Sequence, residues 1–191
     1  MTIFEHVSVF VSIILGLAVV HLLGGVSLIL DTRVKTKIYG VHLAWTLNML
    51  FLTVLAWLGN FVLAPVTDFS AAHFFNLLAY SMVIYLMSGL LYPVRGEEVT
   101  DFKKHFHSNR PRFFSLGVVF VITDAVDGLL EARATGLQLN PFQYGQLAIF
   151  LVLFVLGIQS DREGFHRAFV VVFFLGMLGF LYSLTQIGVV G

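Results

Sequence analysis

Asp124, Asp127 and Glu131 carry the strongest chemical signal in the sequence. Their i, i+3, i+7 spacing puts three carboxylates on one face of a helix. The surrounding residues are apolar enough for that helix to lie in a bilayer. A carboxylate in lipid is costly, so this face must meet protein, water or a cation. Two readings follow. The face is a proton or cation site, since carboxylates held close together compete for protons. Alternatively it is a hydrogen-bond cluster that locks the helix, with Glu131 wetted at the interface.

His21 is the second candidate. It lies about two-thirds of the way along the first apolar stretch, between Ser12-Gly16 and Gly24-Gly25. Small residues at such spacing allow helices to approach closely. An imidazole at that depth can accept a proton from an acid of the fourth stretch, or hydrogen-bond a neighbouring helix. Trp45, Asn48, Asn76 and Tyr80 supply further polar groups inside apolar stretches, where inter-helix hydrogen bonds are their common role. Trp45, Asn48 and Tyr80 are expected to support the acidic face. Basic residues and Phe alternate through Asp101 to Phe114. That pattern suits an interfacial segment whose Lys103, Lys104, Arg110 and Arg112 meet anionic lipid headgroups.

Other chemistries find no support. The chain has no cysteine, which excludes disulfides, Cys-ligated metal centres and a Cys nucleophile. A G-x-S-G pattern with a later histidine is missing, and the E-E-x-x-x-R pattern begun by Glu97-Glu98 meets Phe102 where Arg belongs. His105 and His107 form only an H-x-H pair, and a bis-histidine haem would have to draw on His21 and His42. No cofactor, metal or catalytic residue is expected.

The elements that must position these groups follow from composition. Of 191 residues, 58% are hydrophobic and 12% charged, with a mean hydropathy of +0.91. So few charges cannot cover a water-soluble core. Eleven basic residues balance eleven acidic ones, so the surplus that nucleic-acid binding needs is absent. A helix crosses the bilayer core with about 20 apolar residues. Six stretches fit: 7–30, 38–63, 72–92, roughly 111–130, roughly 141–158 and roughly 165–189. The start of the chain lacks the basic n-region of a cleaved signal, so the first stretch is expected to be a retained span. Asn140-Pro141, Ser160 to Glu163, and Asp68 or Ser70 read as helix starts. Pro65 and Pro93 read as stops.

Ten of the eleven Lys and Arg fall in the odd-numbered loops, which predicts cytoplasmic odd loops and both termini outside. Stretch four is the marginal one. Its apolar residues contribute about −3 to −6 kcal/mol to insertion, against roughly +5 to +7 for Asp124 and Asp127. Without it, Arg162 and Arg167 would change sides, so six spans fit best.

The chain resembles a group of small bacterial integral membrane proteins with no known activity. The similarity rests on Ser12 to Leu17 with His21-Leu22-Leu23-Gly24, on His42-Leu43-Ala44-Trp45, on His105-Phe106, Asn109-Arg110 and Phe113-Phe114, and on Asp124 to Asp127. It implies a bacterial inner-membrane location and assigns no mechanism. The expectation is an all-α single transmembrane domain over 1–191, a bundle of six helices. As a proton- or cation-linked channel or transporter it would use Asp124, Asp127, Glu131 and His21. That channel or transporter is expected to be a homo-oligomer. As an accessory subunit it would instead pack against a larger membrane complex through Ser8, Ser12 and Gly16, or through Gly176, Gly179 and Ser183. A membrane enzyme is the third and least supported class.

Overall fold

The protein was analysed as a computed structural model, which describes residues 3–31, 36–66, 70–93, 99–136, 138 and 140–186. Six helices long and apolar enough to cross a membrane follow one another. They are α1 (Ile3–Leu30), α2 (Gly40–Gly59, continued by a 3-10 turn over Asn60–Leu63), α3 (Ala71–Leu91), α4 (Phe102–Thr135), α5 (Pro141–Gln159) and α6 (Glu163–Gln186). Among the described residues there is no strand, only an isolated bridge between Lys37 and Asp101. The chain is a multi-pass membrane protein.

Local chemistry sets the helix ends. The Ser70 side chain accepts from His73 N–H, and Asn140 accepts from Phe142 N–H one residue before Pro141. Each such cap contributes about 1 kcal/mol. Asp68, the alternative cap of α3, lies outside the described residues. Gly136 closes α4 at φ 73°, a left-handed conformation that glycine adopts without strain, and its N–H returns to Ala132 O. The expected capping box at Ser160 does not form. Ser160 Oγ meets Arg162 N–H at 3.4 Å, while Glu163 turns to Lys103 and Arg167.

Two sequence expectations fail on α4. It starts at Phe102 rather than near Pro111, because the Asp101 side chain caps it by accepting from Lys103 and Lys104 N–H. Those N–H groups hold the exposed Asp101 carboxyl below the usual carboxylate range. At 34 residues the helix is roughly 51 Å long, well beyond a hydrocarbon core of roughly 30 Å. The alternation of Phe and basic residues is therefore helical. Phe102, Phe106, Arg110, Phe113 and Phe114 turn inward while Lys103, Lys104 and Arg112 stay exposed. Arg110 is buried and donates to Ser160 O at 2.9 Å and to Asp161, so it fastens the α5–α6 turn instead of meeting lipid headgroups. Lys103 bonds Glu163 at 3.0 Å across the same end. Lys37 N–H donates to Thr100 O and accepts at its own carbonyl from Phe102 N–H, both at 3.0 Å. These contacts tie the α1–α2, α3–α4 and α5–α6 connections into one basic end of the bundle.

α2 runs through the centre, with 56% of its apolar stretch buried against 22% for α1 and α5. α1 packs on α3 and α2, and α4 lies between α3 and α5, with α6 closing against α2 and α5. Contact between α4 and α5 is reciprocal. Gly117 of α4 lies under the Phe154 ring of α5, and Gly157 of α5 lies under the Phe114 ring of α4. Glycine at both positions lets the two backbones approach, as close helix packing in lipid requires. Trp45 of α2 is fully buried, ringed by Phe113, Phe114, Phe154, Phe169 and Phe173 with centroids 5.0–6.2 Å away. Edge-to-face aromatic pairs add about 0.5–1.5 kcal/mol each beyond their buried area. This plug fills the bundle on the basic-end side of its middle.

Candidate functional site

At the end opposite the tied loops the helices diverge around a cavity of about 680 Å³. Its walls come from α2 and the 3-10 turn (Leu55, Ala56, Asn60), α3 (Tyr80), α4 (Asp124, Asp127, Glu131), α5 (Phe142, Gln143, Tyr144) and α6 (Phe180, Ser183). A narrower extension of about 40 Å³ continues inward past Tyr80 and Asp124 to Phe120, Phe150 and Phe173. Phe173 belongs to the aromatic cluster around Trp45, so the extension reaches that cluster.

α4 delivers the three expected acids to this cavity in order of depth. Asp124 lines both the cavity and its narrow extension, Asp127 lies one turn higher, and Glu131 stands toward the mouth. The i, i+3, i+7 spacing thus becomes a line of carboxylates along one wall. Among the described residues no Lys or Arg forms an ion pair with any of them. Their partners come from α3. Asn76 Nδ2 donates to Asp127 Oδ1 and to Thr123 O, both at 3.1 Å. His73 Nε2 lies 3.4 Å from Asp127 Oδ1, and the Tyr80 hydroxyl faces Asp124. On the other flank the Tyr144 hydroxyl donates to Ala125 O at 3.2 Å and packs over Gly128. A Cβ at residue 128 would come within 3.0 Å of the Tyr144 hydroxyl, so glycine leaves room for that close contact.

His73 is buried, and the sequence analysis assigns it no role. Its signal was spacing. His73, Asn76 and Tyr80 repeat the i, i+3, i+7 pattern of the acids they face.

The other expected residues go elsewhere. His21 does not join the acids, because its Nε2 lies 3.3 Å from Tyr92 O at the basic end. Tyr92 follows Tyr80 by roughly 17 Å of α3, which separates His21 from Asp124 along the bundle. Asn48 donates to Val170 O of α6 at 2.9 Å, so it joins α2 to α6 outside the cavity. Trp45 belongs to the aromatic plug and supports the cavity only as its base. Tyr80 alone of the three supporting groups touches an acid. Gly176 and Gly179 are covered from within the chain by Phe150 and Phe142, so they are not a docking face. Among the described residues no group of three or more His, Asp or Glu converges to hold a metal ion.

What the arrangement can do follows from its parts. A cavity at one end of the bundle, walled by carboxylates that pair with no Lys or Arg among the described residues and by aromatic rings, attracts cations and holds water or a solute beside titratable groups. No family model, curated protein or solved structure matches the chain.

Proposed function

We propose that this protein is a small proton- or cation-linked transporter of the bacterial inner membrane, with both termini outside and Asp124 as its central ion-binding group. The observation that carries this reading is the cavity. Three carboxylates of one transmembrane helix line a space at one end of the bundle, and its narrow extension reaches Phe173 beside Trp45. A pocket reaching mid-bundle from one side fits a cycle in which access alternates. Asp127, held by Asn76 and His73, and Glu131 at the mouth form the path by which a proton or cation reaches Asp124. His21 plays no part in that path.

Proteoliposomes test the reading. Wild type should dissipate an imposed proton or monovalent-cation gradient, and Asp124→Asn should abolish that flux while eluting normally in detergent. Absence of any flux from correctly folded wild type would refute the transport reading. A second reading has one observation in its favour. Gly16 and Gly24 on α1 are exposed with nothing packed near them, a surface on which a helix of a larger membrane complex could sit closely. It predicts a co-purifying membrane protein that is lost on Gly16→Leu.

A further inference from the structure

The volume and the wall of the cavity carry information about what enters it. Liquid water occupies about 30 Å³ per molecule, so about 680 Å³ is far more than a bare ion or a proton relay requires. It falls in the range of about 300–1,000 Å³ typical of sites for small organic ligands. The charges are not gathered at one point either. Along α4, Asp127 is roughly 4.5 Å and Glu131 roughly 10.5 Å of helix rise from Asp124. No three acidic or imidazole groups among the described residues converge as a compact metal ion demands. The rest of the lining mixes rings and apolar groups, Tyr144 and Phe142 of α5, Phe180 of α6 and Leu55 of α2, with the uncharged polar Asn60, Gln143 and Ser183. The cavity therefore joins a row of anionic groups on α4 to aromatic and apolar surface on its neighbours.

We infer that the cavity binds a linear aliphatic polyamine, an apolar chain carrying two or more ammonium groups. Lying along α4, such a chain sets one ammonium against Asp124 and another against Glu131. Its methylenes pack on Phe142 and Phe180, and the ammonium groups lie near enough to the Tyr144 face for cation–π attraction. The recognition needs both features at once. A single-charge ammonium ion meets only one carboxylate, and an inorganic ion leaves the aromatic wall unused. This assignment names a substrate class for the transport reading and rests on that reading's site.

Equilibrium binding to the whole protein, purified in detergent, tests it with spermidine, butylamine and tetraethylammonium as probes. Spermidine should bind saturably and raise the thermal midpoint, with both single-charge probes weaker. Asp124→Asn and Glu131→Gln should each weaken spermidine binding by roughly tenfold or more, the loss of one hydrogen bond to a charged group. Glu131 lies at the mouth, so Glu131→Gln answers the question even where Asp124→Asn fails to fold. Arg112→Gln, an exposed change at the basic end, should leave binding untouched. Equal binding of butylamine or tetraethylammonium, no saturable spermidine binding, or spermidine binding indifferent to Glu131→Gln overturns the assignment. The gradient assay above uses no polyamine. Flux that depends on Asp124 without spermidine binding would overturn the substrate class alone.

Discussion

Asn76 of α3 holds Asp127 of α4 through one amide group, which donates at 3.1 Å to the Asp127 carboxylate and at 3.1 Å to the Thr123 carbonyl. The same donor thus fixes an acid of the cavity and the backbone one turn below it. Asn76→Leu removes both bonds. It leaves an under-satisfied carboxylate and should lower stability by about 1–2 kcal/mol, the upper range for inter-helix hydrogen bonds in membranes. Unfolding in mixed micelles by SDS measures this. Asp127→Asn keeps a group that can accept from Asn76 and should cost less. Equal losses in the two variants would show that the Asn76 amide does not act through Asp127.

The pairing of α3 with α4 was legible only in half. Asp124, Asp127 and Glu131 stood out because charge in an apolar stretch is expensive, so their type alone raised a question. His73, Asn76 and Tyr80 did not stand out, because uncharged polar residues are common inter-helix glue. A second i, i+3, i+7 stripe becomes meaningful only once α3 and α4 are known to be neighbours. His21 failed for the same reason in reverse. Its depth was estimated from span boundaries, but which helices touch at that depth is a packing outcome that hydropathy does not encode. The basic segment before Pro111 is hidden from hydropathy, because an apolar stretch marks a span and not the full helix that carries it. Pro111 is exposed and mid-helix, and the cap that decides the boundary is Asp101, ten residues earlier.

Arg110 and Asp161 give the basic end an acid-sensitive contact. The Arg110 guanidinium donates to the exposed Asp161 carboxylate, which holds that carboxyl below its ordinary value of 3.8. A group whose folded pKa is depressed contributes stability above its unfolded pKa and loses it as pH falls through the folded value. The contribution is therefore complete at neutral pH and fades below about pH 4. Thermal midpoints in detergent should drop over that acid range in wild type, and less so in Asp161→Asn. An identical acid limb in both proteins would contradict the contact. Arg110→Ala should act at all pH values, because the carbonyls of Ser160 and Ile158 lose their donor. The cost should be about 1–3 kcal/mol. Arg110→Lys should recover little of it, since an ammonium cannot fork between the carbonyls and Asp161.

Gly117 in the α4–α5 contact and Gly16 on α1 predict different responses to one added methyl group. A Cβ at residue 117 would enter the Phe154 ring, which is fully buried against Trp45 and Phe169 and has nowhere to move. Gly117→Ala should therefore destabilise by about 1–3 kcal/mol, as overpacking does in a filled core. Gly16→Ala meets nothing within 4 Å and should be neutral or slightly favourable, as a better helix former replaces glycine. SDS unfolding of the two variants side by side separates the effects. A neutral Gly117→Ala would mean that the α4–α5 contact is looser than described.

The absence of cysteine from the chain makes the cavity's opening directly measurable. Ser183 of α6 lines the cavity, half-buried, and its hydroxyl turns back to Phe180 O at 2.7 Å. Replacement by Cys is nearly isosteric and keeps the wall intact. Ser88 of α3 is fully buried toward the basic end, bonded to Ile84 O at 2.9 Å. A membrane-impermeant thiol reagent should label Ser183→Cys in sealed vesicles from the face opposite the basic loops, which the charge distribution predicts to be the outside. Ser88→Cys should stay unlabelled until the protein is denatured. Alternating access adds slower labelling of Ser183→Cys from the other face, and an imposed gradient should change the ratio of the two rates. Equal rates from both faces, unaffected by a gradient, would mean that the aromatic plug around Trp45 does not close the bundle.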